Sequence, residues 1–140
     1  MRDKTFYALL IATALAAGGC ASAYQLSPQP GERLSEARSA AITRAAVAET
    51  ELQEAEGLIA QQRYGEAMRK LAPLAAIFEA AQDTGKAARA VFWTAYCHEK
   101  EGRTADAATL YESVTRRYGG TPAARLAGDR LGRLRPAAPP

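Results

Sequence analysis

Two cysteines and a single histidine are the residues of this chain with reactive side chains to offer. Cys97 and His98 are neighbours in the sequence. On a helix, neighbours point about 100° apart, which is poor geometry for a thiolate and its base. Cys97 falls on the apolar side of its segment, where a cysteine acts as a small core residue. One histidine supports neither a Ser-His-Asp relay nor a multi-histidine metal site. No glycine loop is placed to cradle a phosphate, since Gly18-Gly19 closes an apolar run and Gly119-Gly120 ends a helical pattern. The carboxylates of Glu99, Glu101, Asp106 and Glu112 read as solvated charges. No catalytic residue, metal ligand or cofactor is therefore assigned, and the chain reads as a non-enzyme. The second thiol, Cys20, stands directly behind Ala16-Ala17-Gly18-Gly19.

The setting of Cys20 is distinctive. Arg2-Asp3-Lys4 is a short charged start, and Thr5 to Ala17 is uncharged and apolar. A bilayer crossing needs about 20 apolar residues, so this run is too short to span well. Its length and flanks match the core of a secretory signal peptide, taken as residues 1–19. Small residues before a cysteine, directly after such a core, resemble the bacterial lipobox. The resemblance implies cleavage before Cys20, diacylglycerol on its Sγ, and acylation, such as palmitate, of the new amino group. Ala17 stands where that motif often has Leu. Two or three acyl chains make a stable anchor where one is marginal. Ala21 follows the cysteine instead of the Asp that in lipoproteins signals inner-membrane retention, which implies an outer-membrane, periplasm-facing location. Residues 20–31 then read as the lipidated cysteine and a tether. Pro28 and Pro30 favour extended backbone there, with a reach of roughly 30 Å.

The remainder, 32–135, patterns as helix throughout. Alanine, Arg and Glu dominate it and β-branched residues are few. Ala37, Ala41, Ala45, Ala48, Leu52, Ala55 and Ile59 recur at threes and fours in a long first helix, with Ser35 as a candidate cap. The line allows one helix or two, and docking on the domain is favoured over a free coiled-coil arm. Gln61-Gln62-Arg63 is a turn. A helix over Glu66–Gln82 follows, which Pro73 should kink. Ala88, Val91, Phe92, Ala95 and Tyr96 form the next seam, and Glu101-Gly102-Arg103 breaks it. Ala107, Tyr111, Val114 and Tyr118 recur at four, three and four in the helix after that. Thr121 is a plausible cap, with Pro122 in the first helical position and Ala123, Ala124, Ala127, Leu131 and Leu134 as the apolar line. Residues 136–140 read as a disordered tail.

Ala95, Gly102, Ala107 and Tyr111, closed by Tyr118-Gly119-Gly120-Thr121-Pro122, resemble a tetratricopeptide repeat. Ala67 aligns with Ala107 and Leu71 with Tyr111, at an offset longer than the usual 34 residues of that family. Val91, Thr94 and His98 depart from its more typical Trp, Leu and Tyr. The resemblance implies an all-α fold of antiparallel helical hairpins: about two repeats plus a C-terminal capping helix. It also implies that the first helix of each pair lines a groove. By alignment those positions are Arg89, Phe92, Tyr96, Glu99 and Lys100, and in the earlier repeat Glu49, Leu52, Glu56, Ile59 and Ala60. Phe92 and Tyr96 lie one turn apart and are expected to form the binding centre, with Arg89, Glu99 and Lys100 as its charged rim.

Formal net charge is +3, of which residues 1–19 supply +1 through Arg2, Lys4 and Asp3. So small a balance argues against a nucleic-acid partner. Arg116, Arg117, Arg125, Arg130, Arg133 and Arg135 give the C-terminal third a basic lean, suited to a solvated face or to anionic head groups or an acidic protein. The functional expectation is a membrane-anchored protein–protein interaction scaffold or adaptor of the bacterial cell envelope. It would hold an envelope protein or peptide and touch the membrane through Cys20. At the level of repeats it is similar to lipoproteins that assemble outer-membrane barrels, to the periplasmic coordinator of the Tol–Pal system and to pilotins. The alternatives are an oligomerising spacer without a groove, forming homo-oligomers, and an accessory subunit of a secretion or pilus machine or of an enzyme.

Overall fold

The computed structural model describes residues 30–134. The segment 1–19 expected as a signal peptide, the expected lipidation site Cys20, the expected tether as far as Gln29, and the expected tail 136–140 lie outside the described residues. Six helices make up the described part: α1 (Pro30–Ala60), α2 (Tyr64–Leu71), α3 (Leu74–Ala80), α4 (Thr84–Lys100), α5 (Thr104–Arg117) and α6 (Pro122–Leu134). The fold is all-α, with no strand among these residues.

The turns repeat one device. Gln62 and Arg63 donate their N–H groups to the carbonyls of Ile59 and Leu58. Gln82 and Asp83 do so to Glu79 and Phe78, and Gly102 and Arg103 to Glu99 and His98. Each is the paired closure that ends a helix on a residue in the left-handed region. The φ values are 61° at Gln62, 62° at Gln82 and 78° at Gly102. Glycine meets that requirement without strain, whereas the two glutamines adopt it against their Cβ. Asp83 then caps α4, its Oδ1 accepting from the Lys86 N–H at 3.0 Å. Asp83-Thr84-Gly85 thus starts a helix directly behind the one it follows.

Seven buried positions recur at equal spacing in two successive hairpins. Ala48, Leu52, Ala55, Ala67, Leu71, Leu74 and Phe78 correspond to Ala88, Phe92, Ala95, Ala107, Tyr111, Val114 and Tyr118, and all are buried. Packing of these side chains, more than helix propensity, holds the short helices. α4 is central, packed against α2, α3, α5 and α6, while α6 also lies along α5. The segment expected as one helix over Glu66–Gln82 is two. Pro73 has no N–H to give and its ring crowds the preceding turn, so α2 stops at Leu71 and α3 starts at Leu74.

α1 is one piece of 31 residues. It takes in Pro30 and Gly31, assigned above to the tether, because proline suits the first helical turn. Ser35 lies inside the helix and does not cap it. Only the second half docks, through Ala48, Leu52, Ala55 and Ile59. Residues 31–40 are all exposed, so docking does not extend over the whole helix as expected. Ion pairs Lys86–Glu49 (2.9 Å), Lys70–Glu54 (2.7 Å) and Arg89–Glu56 (2.6 Å) fix the docked half's register. Such exposed pairs orient more than they stabilise.

α6 begins as its sequence suggests. Thr121 Oγ1 accepts from the Ala124 N–H at 3.2 Å. Ala123, Ala124 and Ala127 are buried, with Leu131 and Leu134 packed at the edge. Of its two glycines, Gly128 faces α5, where a Cβ would meet Thr115 Cγ2 at an ordinary 3.9 Å, whereas a Cβ at Gly132 would meet nothing within 4 Å. Gly132→Ala is therefore expected to raise stability by about 0.5–1 kcal/mol by removing backbone freedom from the unfolded chain. A urea midpoint that fails to rise would show that this face is in contact.

Candidate partner-binding cleft

The described surface carries an apolar cleft of about 430 Å³ between the start of α4 and the start of α6. Asp83, Gly85, Lys86, Arg89, Phe92 and Trp93 form one wall, and Pro122, Ala123 and Leu126 the other. Helical spacing explains the first wall: 85, 89 and 92 follow one another at fours and threes up α4, with 86 and 93 beside them. The Thr121 cap sets the second by turning α6 so that Ala123 faces in. Leu126 is 52 % exposed on the rim, where its apolar surface adds to that of the cleft.

Trp93 is held by Glu56. Its Nε1–H donates to Glu56 Oε1 at 2.6 Å, while Glu56 Oε2 takes Arg89 Nη2 at the same distance. The indole meets the Phe92 ring edge-on with centroids 5.3 Å apart, and the Tyr96 ring likewise at 5.5 Å. Phe92 also leans on Tyr111, at 5.6 Å. This aromatic run leads out of the cleft to Tyr96. There the Arg130 guanidinium lies 4.9 Å and the Lys100 ammonium 5.2 Å from the ring centre. Both distances suit cation–π attraction.

Glu99 is a hub here and not the solvated charge expected. It accepts the Tyr111 hydroxyl at 2.8 Å and Arg130 Nη1 at 2.9 Å, and its side chain is only 18 % exposed. Burial, helped by the Glu99 carboxylate, pushes the Tyr111 hydroxyl pKa far above its ordinary value. Tyr118, donating to Glu79, is pushed up to about 12, chiefly by burial. Cys97 is a buried core residue whose thiol burial pushes up to about 11, with the charge of Glu101 adding to it. Its thiolate is thereby suppressed.

The groove predicted from alignment is not one surface. Leu52, Ile59 and Phe92 are buried in the core. The expectation of Phe92 as an open anchor is corrected: α4 is covered on several sides at once, and only part of the ring edge reaches the cleft. Arg89 stands on the cleft rim, Glu56 clamps Trp93 from α1, and Tyr96, Glu99 and Lys100 gather around Arg130. The alignment missed Trp93, Leu126, Lys86 and Arg130. Trp93 carried a readable signal, being a large side chain whose N–H needs a partner, set next to a core aromatic. The basic lean also divides: Arg117 pairs with Glu79 and Arg130 with Glu99, while Arg116, Arg125 and Arg133 stay exposed. Arg135 lies outside the described residues.

Comparison with known proteins finds no family model, no curated protein and no solved structure that matches the chain. Among the described residues, no helix is long and apolar enough to cross a membrane.

Proposed function

We propose that this chain is a lipid-anchored adaptor of the bacterial cell envelope. Acylated Cys20 holds it on the periplasmic face of the outer membrane, and a tetratricopeptide-like domain takes a bulky apolar side chain of a protein partner into the α4–α6 cleft. The observation that carries the reading is the cleft itself, apolar inside, with exposed Leu126 at its lip and Lys86, Arg89 and Asp83 as a polar rim. An apolar centre inside a polar rim is the usual anatomy of a binding surface. The anchor rests on the short apolar run and the Gly-Gly-Cys that ends it.

A photo-crosslinking side chain at position 126 tests both parts in cells. A discrete adduct with another envelope protein is expected in the membrane fraction, and none from the same probe at exposed Thr109 on α5. Adding Cys20→Ser should move the chain to the soluble fraction and remove the adduct. Equal adducts from both positions would sink the cleft, and a Cys20→Ser chain still in the membrane pellet would sink the anchor.

A further inference from the structure

The cleft does not end in neutral surface. Trp93 in its wall touches the ring of Tyr96 just outside it, and Tyr96 is flanked by Lys100 from α4 and Arg130 from α6. The charges along this strip are spent unequally. At the Leu126 end each cation already has its carboxylate: Lys86 pairs with Glu49 and Asp83, and Arg89 with Glu56. At the Tyr96 end Glu99 is shared between Arg130 and the Tyr111 hydroxyl. Lys100 is exposed and forms no ion pair with any described carboxylate; its ammonium lies over the Tyr96 ring. The strip therefore has an apolar, charge-balanced end and an end with positive charge left over.

We infer that the cleft takes an acidic peptide segment: one bulky apolar residue seated between Trp93 and Leu126, followed by carboxylates that meet Lys100 and Arg130. This rests on the proposed cleft and specifies its partner. The path sets the spacing. From the Trp93 ring to the Tyr96 ring is 5.5 Å, and from there to the Arg130 guanidinium 4.9 Å. Those two steps put the guanidinium at most roughly 10 Å from the Trp93 ring, within about three residues of extended chain at ~3.3 Å each. Carboxylates in the three places beyond the apolar residue therefore come within reach of Arg130 and of Lys100 on its flexible stem. Arg130 is fixed by Glu99 and the Tyr96 ring, so it meets the carboxylate with little ordering cost. Lys100 supplies the unspent charge.

Trp93 is the only tryptophan of the chain, so its emission reports directly on the cleft. The full chain in non-ionic detergent is titrated with four blocked peptides of equal length. They carry Phe followed by three Glu, Phe followed by three Lys, Ala followed by three Glu, and Ala followed by three Lys. The Phe–Glu peptide is expected to shift Trp93 emission saturably, and to bind about tenfold more tightly than Phe–Lys or Ala–Glu. Lys100→Glu, an exposed substitution outside the core, should remove most of the preference for Glu over Lys. Equal binding of Phe–Glu and Phe–Lys overturns the acidic specificity while leaving the apolar cleft. Equal binding of Phe–Glu and Ala–Glu overturns the cleft reading, and with it this one. A response to anionic lipid added to the detergent micelles but to none of the peptides overturns the peptide in favour of a membrane surface. Silence to every probe overturns it outright.

Discussion

Ala107→Glu is expected to destabilise the domain by about 4 kcal/mol or more. Ala107 opens α5 and is fully buried, as is its counterpart Ala67 in the preceding hairpin. The methyl group sits where α4 and α5 close on each other, just past the Gly102 turn. Glutamate brings four more heavy atoms and a charge into that contact. Overpacking alone costs about 1–3 kcal/mol, and an unpaired buried charge adds several more or forces the carboxylate to take a proton. About 4 kcal/mol or more is a large part of the 5–15 kcal/mol that holds a typical domain. In so small a domain it lowers the melting temperature by about 15 °C or more. Thr109→Glu, two residues on and exposed, is the control and should stay within about 0.5 kcal/mol. A melt of Ala107→Glu that overlays the wild type would refute the close packing of α5.

The hairpins were legible because their spacing is local. Ala107, Tyr111, Val114 and Tyr118 predict one seam of α5, and all four are buried. Thr121 and Pro122 announce the start of α6 for the same reason, since a cap acts within a single turn. Legibility stops where a residue's partner is distant in sequence. Glu99 looked solvated because Arg130, which engages it, is on another helix. Glu56 was expected to line a groove and instead holds Trp93. The apolar pattern of α4 is a further case. A helix covered on one side shows one stripe, but α4 is covered by four neighbours. Phe92 and Val91 therefore cannot be sorted into core and surface by periodicity alone. The turn at Gln62 and the helix end at Gln82 were legible, but their left-handed backbone was not: of these three turns only the one with Gly102 announces it, and tertiary packing imposes the same backbone on two glutamines.

Phe92→Ala is expected to lower stability by about 3–5 kcal/mol, the range for truncating a buried phenylalanine. The ring is 7 % exposed and packs between Trp93 and Tyr111, so removing it leaves a void bounded by two aromatics that Glu56 and Glu99 pin in place. Pinned neighbours cannot collapse into the space, which puts the cost toward the upper end of that range. Leu126→Ala provides the contrast. That side chain is half exposed on the opposite wall, and losing it should cost about 1 kcal/mol or less, because most of its surface never left water. The pair separates folding from binding. Lost partner binding in Phe92→Ala identifies no contact, because the domain itself is weakened. Lost binding in Leu126→Ala, with a near-normal melt, marks the cleft as the contact surface. Urea titrations followed by circular dichroism give both numbers. Should Phe92→Ala unfold within about 1 kcal/mol of wild type, the ring would be an open anchor after all, and the core around Tyr111 would have to close without it.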